Sequence, residues 1–321
     1  MRSPQTPLVT VLMPVYNAQS YLKEAIDSIL NQSHTDFEFL IVDDGSTDES
    51  VNIINSYSDS RIRLIQQSNA GVSGALNTGL SLAKGKYIVR FDADDVSLAN
   101  RIEVQLAFME QHPDYVLVGC DVEYLTESGE FIFQYQNTGH RDEEIRARLL
   151  QKNPFIHSAV IALKEVLLKC GGYDPLAHTF EDHLLWTKVI EYGKVCNLNA
   201  VLVRVRLNAQ SVTSDERMRG ARFLSLRQDI LNRKGTVSET EGAALRAILL
   251  KQNATSEKAM GYHMLVAKKY LWNNYQPKKV RLHCRQMFQL NPWMPMSYLL
   301  FIVSFFPESW IKRMYRNLKA A

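Results

Sequence analysis

"YIVRFDADDVSLANR", residues 87–101, sets the fold and poses the chemical question. Tyr87 to Phe91 reads as a buried strand, yet it runs straight into Asp92, Asp94 and Asp95. Carboxylates this close repel one another, so the cluster either faces open water or holds something positive. In an extended turn, residues two apart project to one side, which lets Asp92 and Asp94 face one point. Two carboxylates with water make a hard oxygen site suited to Mg²⁺ or Mn²⁺, and Mg²⁺ completes its shell with substrate phosphates. The competing reading is a solvated acidic turn that caps the next helix.

Upstream, strands alternate with helices. "LVTVLMPV" (8–15), "FEFLIVDD" (37–44), "RIRLIQQ" (61–67) and 87–91 read as strands. Residues 18–32, with Ser20 as cap, then "SVNIINSYS" and "GVSGALNTGLSLAKG" (71–85) read as helices. The alternation predicts a Rossmann-like, three-layer α/β domain on a parallel sheet, where ligands bind beyond the carboxyl ends of the strands. "PVYN", "DDGS" and "DADD" all fall on that edge. Further on, 115–125, 130–136, 157–164 and 194–207 read as strands, and 97–112, capped by Ser97, as a helix. From about 215 the periodicity is helical throughout, over 216–233, 238–251, 256–274 and 278–290.

Charge divides the same way. Residues 1–214 carry 18 Lys+Arg against 27 Asp+Glu, and residues 215–321 carry 19 against 7. We therefore expect two regions, 1–214 catalytic and 215–321 basic and helical. Cys120, Cys170, Cys196 and Cys284 form no C-x-x-C pair and read as buried thiols in a reducing compartment. The N-terminus has no signal-like apolar run, and the longest apolar stretch, 296–306, is shorter than the roughly 20 residues a spanning helix needs. These features predict a cytoplasmic protein. No G-x-G-x-x-G, P-loop or G-x-S-x-G motif is present, which argues against a dinucleotide cofactor, a P-loop NTPase and a serine hydrolase.

Other stretches carry candidate chemistry. Pro14 and Tyr16 end the first strand, and Tyr16 can stack on a flat base or pack under its loop. Asp43 or Asp44 can accept a hydrogen bond from a base or ribose hydroxyl, while Asp48 reads as part of a plain turn. Glu181 and Asp182 begin a helix, where the dipole favours negative charge and where one of them can serve as general base. Gly171 and Gly172 predict a flexible loop beside them, and His157 opens a strand.

Taken in series, "VTVLMPVYNAQSYLKEAIDSIL", "FLIVDDGSTDES", "NAGVSGALNTGL", "KGKYIVRFDADD", "NPFIHSAV", "GGYD" and "EDHLLW" resemble a family 2 inverting glycosyltransferase with the A-type (GT-A) fold. The resemblance implies that Tyr16 with Asp43 and Asp44 holds the nucleotide base, and that Asn69 and Gly71 lie beside the nucleoside. It implies that Asp92 contacts ribose or metal, and that Asp94 ligates Mn²⁺ or Mg²⁺ on the diphosphate. Asp182, with Glu181 beside it, would be the base, His157 would line the substrate site, and Trp186 would wall the acceptor side. The family often closes this domain with Arg-x-His; here Arg206 is followed by Asn208, and if that histidine touches diphosphate or metal, the change either weakens the metal site or leaves more of the work to Arg206. The partners implied are a nucleotide-sugar donor and a saccharide or lipid-linked acceptor. A sugar-1-phosphate nucleotidyltransferase would want a glycine-bearing loop after strand one, which "MPVYNAQ" lacks, and a silent sugar-nucleotide binder would not need the carboxylates at 92, 94, 181 and 182.

The tail, 296–321, places Trp310, Ile311, Met314, Tyr315 and Leu318 in an apolar stripe beside Lys312, Arg313, Arg316 and Lys319. That pattern fits either a helix packed on its own domain or an interfacial helix on anionic lipid at the inner face of a membrane. No nucleic-acid recognition motif accompanies the basic charge.

Overall fold

The first strands form where β-branched and aliphatic residues run without interruption. In the computed structural model, which describes residues 7–137, 139–208, 220–251 and 255–313, β1 is Val9–Val15, β2 Phe37–Asp43, β3 Ile62–Gln66 and β4 Tyr87–Arg90. All seven residues of β2 are buried, the signature of a central parallel strand covered on both faces. The intervening helices are α1 (Leu22–Leu30), α2 (Ser50–Asn55) and α3 (Gly71–Leu82). On α1, Leu22, Ala25, Ile26 and Ile29 make one buried stripe at helical spacing. Its N-terminal residue is Tyr21 rather than a capping Ser20.

The strand order is β3-β2-β1-β4-β8-β6-β9-β5, with β7 beside β6. The later strands are β5 (Val96–Ser97), β6 (Tyr115–Leu125), β7 (Phe131–Tyr135), β8 (Ile161–Leu163) and β9 (Lys194–Arg206). β3, β2, β1 and β4 are parallel, as the alternation predicts. Beyond β4 the sheet is mixed: β8 pairs antiparallel with β4 and with β6, and β5 pairs antiparallel with β9. Ser97 lies in β5, and the helix after it, α4 (Arg101–Gln111), starts from Asn100. His157 sits in a short 3-10 turn, His157–Ala159, ahead of β8 rather than in the strand itself. The helices α5 (Asp142–Arg148), α6 (Lys164–Lys169) and α7 (Glu181–Val189) complete this region. Leu12, Leu40, Val42, Leu76, Leu80, Phe155 and Trp186 belong to one buried core cluster.

Two compact units emerge. One takes Met1–Val122, Tyr135–Val205 and Leu224–Leu245; the other takes Glu123–Gln134, Arg206–Phe223 and Arg246–Ala321. The first therefore includes α8 (Ala221–Arg233) from Leu224 onward and the start of α9 (Glu239–Lys251). Asp174 ties α9's approach to it by accepting the Val237 N–H at 2.8 Å. The second unit holds α10 (Thr255–Trp272), α11 (Pro277–Leu290) and α12 (Pro295–Val303). Prolines at the first turn of α11 and α12 cost no hydrogen bond there. Its core contains Val266, Tyr270, Val280, Cys284, Met287 and Leu300. The four cysteines are free thiols; Cys120, Cys196 and Cys284 are buried and Cys170 is half-buried.

Candidate active site

Parallel neighbours bring their carboxyl ends side by side, at about 4.8 Å spacing. β1 and β2 are in register to Val15 opposite Asp43, and β4 runs on the other side of β1 with Arg90 opposite Leu12. The loops "PVYN", "DDGS" and "DADD" thus leave adjacent strands on one edge. The first two are stitched together: Asn17 N–H donates to Ser46 Oγ at 3.0 Å, and Asn17 Oδ1 accepts from Thr47 N–H at 2.8 Å. Asn17 takes a left-handed φ of 49° to do so, a conformation that asparagine tolerates. Asp48 accepts the backbone N–H groups of Gln19 and Ser50, both at 3.0 Å, the turn-binding role expected of it.

The structure separates Asp43 from Asp44. Both are buried. Asp44 Oδ1 accepts Gln67 Nε2 at 2.7 Å and Ala70 N–H at 2.9 Å, so it fastens the turn into α3. Asp43 receives only two long contacts, both at 3.4 Å, from Ser46 N–H. Pro14 is half-buried in β1, and Tyr16 is 53% exposed beyond it. Asn69 is exposed, and Gly71, at φ +75°, has no atom within 4 Å of the place its Cβ would occupy.

At the end of β4, Phe91 and Ala93 point inward and are buried, while Asp92 and Asp94 alternate to the half-open side. Asp92, Asp94 and Asp95 each bring a carboxylate oxygen within 4.8 Å of the others'. Two buried guanidinium groups lie beneath. Arg90 is ion-paired with Asp92. Arg101, wholly buried, donates to the Arg90 carbonyl at 2.8 Å and lies over the Phe91 ring at 5.6 Å. Burial lowers the Arg101 pKa to about 10, and the neighbouring Cys120 and Asp95 oppose that drop. For Arg90 burial also acts downward, but Asp92, Tyr173 and Asp95 outweigh it and the net shift is upward.

The second acidic pair opens α7. Asp182 Oδ2 accepts Asn153 Nδ2 at 2.7 Å, and Oδ1 accepts the His183 N–H at 2.6 Å. Burial raises the pKa of Asp182, with Asn153 and His183 opposing the rise. Burial first and the Asp182 charge second push Glu181 up to about 7. Arg90 opposes the rise at both carboxyls. Two residues earlier, Thr179 has φ +74°, which a β-branched residue adopts only under strain of order 1–3 kcal/mol. Tyr173 lies within electrostatic reach of both acidic groups. It is buried, and its pKa is raised by burial and then shaped by Arg90, Asp182, Glu181 and Asp92. The carboxylates of β4 and α7 therefore act on the same buried phenol and the same arginine.

His157 Nε2 lies 3.0 Å from the Tyr173 hydroxyl, and burial with the nearby Arg90 charge keeps the imidazole neutral, well below its ordinary pKa. Tyr173 is held in turn by Asn77, whose side-chain amide exchanges two 2.8 Å hydrogen bonds with its backbone. Gly171 and Gly172 both have positive φ, and a Cβ on Gly172 would fall 2.4 Å from Asn77 Oδ1. The glycines are thus a conformational requirement of a pinned turn, which corrects the flexible loop expected there.

Two further expectations are corrected. Trp186 has no exposed surface and packs edge-on to Phe155 and His157, both at 6.0 Å. It supports the site from beneath and cannot wall an acceptor. Arg206 belongs to the second unit, is 3% exposed, and donates to the carbonyls of Glu127 at 3.0 Å and Thr126 at 3.4 Å. Its guanidinium holds a tight turn, in which Gly129 has φ +83°, in place of a diphosphate. The residues missed from sequence are Arg90, Asn153, Tyr173 and Asn77. An arginine inside an apolar strand directly before an acidic run was the available signal for the first, because arginine is seldom buried unpaired. Asn153 and Tyr173 stood in "NPFIH" and "GGYD", and no spacing rule singled them out.

The description Glycosyl transferase family 2 matches residues 10–172. The chain belongs to that family. The match includes Asp43, Asp44, Asp92 and Asp94 and ends before Glu181 and Asp182. Among similar curated proteins, putative glycosyltransferase EpsE of Bacillus subtilis is 34% identical over 213 residues, 62% of this chain and 73% of EpsE. The Escherichia coli UDP-Glc:alpha-D-GlcNAc-diphosphoundecaprenol beta-1,3-glucosyltransferase WfgD is 30% identical over 215 residues, 65% of this chain and 81% of WfgD. Among solved structures, S. aureus TarS 1–349 in complex with UDP-GlcNAc has a TM-score of 0.55 at 17% identity, covering 96% of this chain and 91% of that one. Mannosyltransferase PcManGT from Pyrobaculum calidifontis, in complex with GDP-Man and Mn²⁺, has a TM-score of 0.54 at 18% identity, covering 96% and 89%. The fold is GT-A, and the chain is a glycosyltransferase.

Proposed function

We propose that this glycosyltransferase moves a sugar from a nucleoside-diphosphate donor, UDP-linked, to a hydroxyl of a saccharide or lipid-linked acceptor in surface polysaccharide assembly, with inversion at the anomeric carbon. The observation that carries the reading is the shared buried pair Arg90 and Tyr173, on which the Asp92 side and the Glu181–Asp182 side both act. This shared electrostatic environment supports reading a donor-holding set and a proton-accepting set as parts of one site.

In this reading the exposed Tyr16 ring stacks on the base, and Asp43, little engaged by its own chain, accepts a hydrogen bond from it. Asn69 and Gly71 line the open space beside the nucleoside. Asp94 and Asp92 would hold Mn²⁺ or Mg²⁺; their clustered hard oxygens, with phosphate and water, fit either ion. When bound, such an ion neutralises charge on the departing diphosphate. Asp182 accepts the proton of the attacking acceptor hydroxyl, oriented for this by Asn153. His157 packs ring against ring with Tyr173 and Trp186, both buried, which supports a rigid wall behind these carboxylates.

The acceptor assignment draws on WfgD, whose name specifies a diphosphoundecaprenol-linked acceptor. Among the described residues no helix is long and apolar enough to cross a membrane. We place the work at the inner membrane face, where a lipid-linked acceptor presents its sugar. Incubation with UDP- and GDP-sugars and Mn²⁺ should release the free nucleoside diphosphate from at least one UDP-sugar. Failure with every donor, with nucleotide binding intact, would leave only a sugar-nucleotide binder.

A further inference from the structure

Within the second unit, α12 is apolar on both sides. Ser297, Leu300 and Val303 are buried. Tyr298, Leu299, Ile302 and Phe305 follow at spacings of one, three and three, which puts them on a common outward face. Leu299 is 53%, Ile302 59% and Phe305 66% exposed; Trp293 just before the helix is 88% exposed and Trp310 after it 61%. The Tyr298 hydroxyl bonds back to the Pro292 carbonyl at 2.8 Å, and Tyr298 also stacks against Phe288 at 4.6 Å, so the patch is held in shape. Residue 311 departs from the tail stripe read in the sequence, because Ile311 is 1% exposed and belongs to the unit's own core. Met314, Tyr315 and Leu318 lie outside the described residues.

The chain around this face is predominantly basic, although Lys279 is paired with Glu130 at 3.0 Å. Over residues 275–313 the cations are Lys278, Lys279, Arg281, Arg285, Lys312 and Arg313, and the sole anion is Glu308, which pairs with Lys312 at 2.6 Å. The Arg281 guanidinium lies 4.6 Å over the Phe305 ring and donates to the Ser304 carbonyl at 3.1 Å, so a cation stands at the border of the apolar face. A second copy of the chain is a poor occupant, since a two-fold contact sets one patch against itself and brings like charges together. Tryptophan, phenylalanine and aliphatic side chains bordered by lysine and arginine suit the boundary between headgroups and acyl chains of an anionic bilayer. α12 has nine residues, enough to lie in that boundary and too few to cross it.

We propose that the face formed by Trp293, Leu299, Ile302, Phe305 and Trp310 docks the protein on an anionic lipid bilayer, with α12 lying along its surface. This deepens the membrane-side reading above and rests on it for its purpose. Its test needs no transfer, so its failure and the failure of the glycosyltransferase reading are separate results. The full chain is sedimented with vesicles of phosphatidylcholine alone and with vesicles containing phosphatidylglycerol. Wild type should partition roughly tenfold more strongly to the anionic vesicles, and added salt should weaken it. Ile302→Ser with Phe305→Ser should lower that partitioning by about tenfold or more, and Trp293→Ala, at a site too exposed to disturb folding, should lower it in the same direction. UDP-sugar hydrolysis in the absence of vesicles should be unchanged in both variants. The proposal is overturned if wild type and variants partition alike, or if wild type ignores anionic vesicles. It is equally overturned if the double substitution abolishes a dimer in gel filtration and leaves vesicle binding untouched.

Discussion

Asp182→Asn is expected to reduce sugar transfer by about 10²–10⁴-fold, the range that a positioned general base supplies, and to leave UDP binding unchanged. The amide is nearly isosteric, but Asn153 Nδ2 and the His183 N–H are both donors, so its oxygen can accept from one of them and the other contact is lost. Nor can the amide take up a proton. The environment supports this role. Burial raises the pKa of Asp182 and drives that of Glu181 to about 7, so the pair is a better proton acceptor than an exposed carboxylate and titrates as a unit. The base must be ionised to act and burial raises its pKa, so transfer should rise with pH above the ordinary carboxylate range and fall as the pair takes up a proton. In the variant Glu181 loses the repulsion of its neighbour, so any residual activity should persist to lower pH than in wild type. Steady-state rates between about pH 5 and 9 measure both effects. Full turnover in Asp182→Asn would contradict the assignment, as would a wild-type rate indifferent to pH across this interval.

Arg90→Met should produce the largest loss of stability of any single change at the site. Arg90 is 4% exposed, pairs with Asp92, and offsets the charges of Glu181 and Asp182. Removing one partner of a buried pair costs about 3–5 kcal/mol, because the other charge stays behind without compensation. Asp92 is partly open to water, with 36% of its side chain exposed, so the lower end of that range applies. For a chain of 321 residues, with about 2.1 cal/mol/K of unfolding entropy per residue, that loss corresponds to a fall in melting temperature of about 4 °C. Arg90→Lys keeps the charge on a narrower donor set and should cost less. The replacement also removes the cation that depresses His157, so that imidazole should become easier to protonate. Chemical denaturation of both variants, with metal absent, measures the effect. A melting temperature for Arg90→Met within about 1 °C of wild type would show that the arginine is not the keystone of the carboxylate cluster.

The edge of the sheet was legible in the sequence because it depends on short-range signals. Continuous apolar runs gave β1, β2 and β4, and the polar residues that interrupt them, Tyr16, Asp43 and Asp92, fell at the strand ends where the structure has them. Strand direction was not legible. "VIALK" looks like any buried strand, and only its pairing, Tyr87 with Leu163 and Val89 with Ile161, makes β8 antiparallel to β4. Burial was not legible at Trp186 and Arg206, to which the family resemblance assigns contacts with substrate. Trp186 fills the core, and Arg206 satisfies the carbonyls of its own turn. The choice between Asp43 and Asp44 could not be made from adjacent identical residues. It turns on Gln67 and Ala70, more than twenty positions away, which engage Asp44. The boundary at 214 follows composition, whereas compactness follows contacts, so 123–134 join the helices and 224–245 join the sheet.

In the proposed mechanism, carboxylates from separate chain segments form one donor site, where Asp94 and Asp92 would hold a divalent ion for the diphosphate. Titration calorimetry of UDP tests it most directly, with Mn²⁺ and with a chelator, on wild type and on Asp94→Asn. UDP should bind wild type with Mn²⁺ present, and affinity should fall by at least about tenfold with the chelator or in Asp94→Asn, as expected when a charge-assisted contact is lost. Equal UDP affinity in all four titrations would contradict the claim.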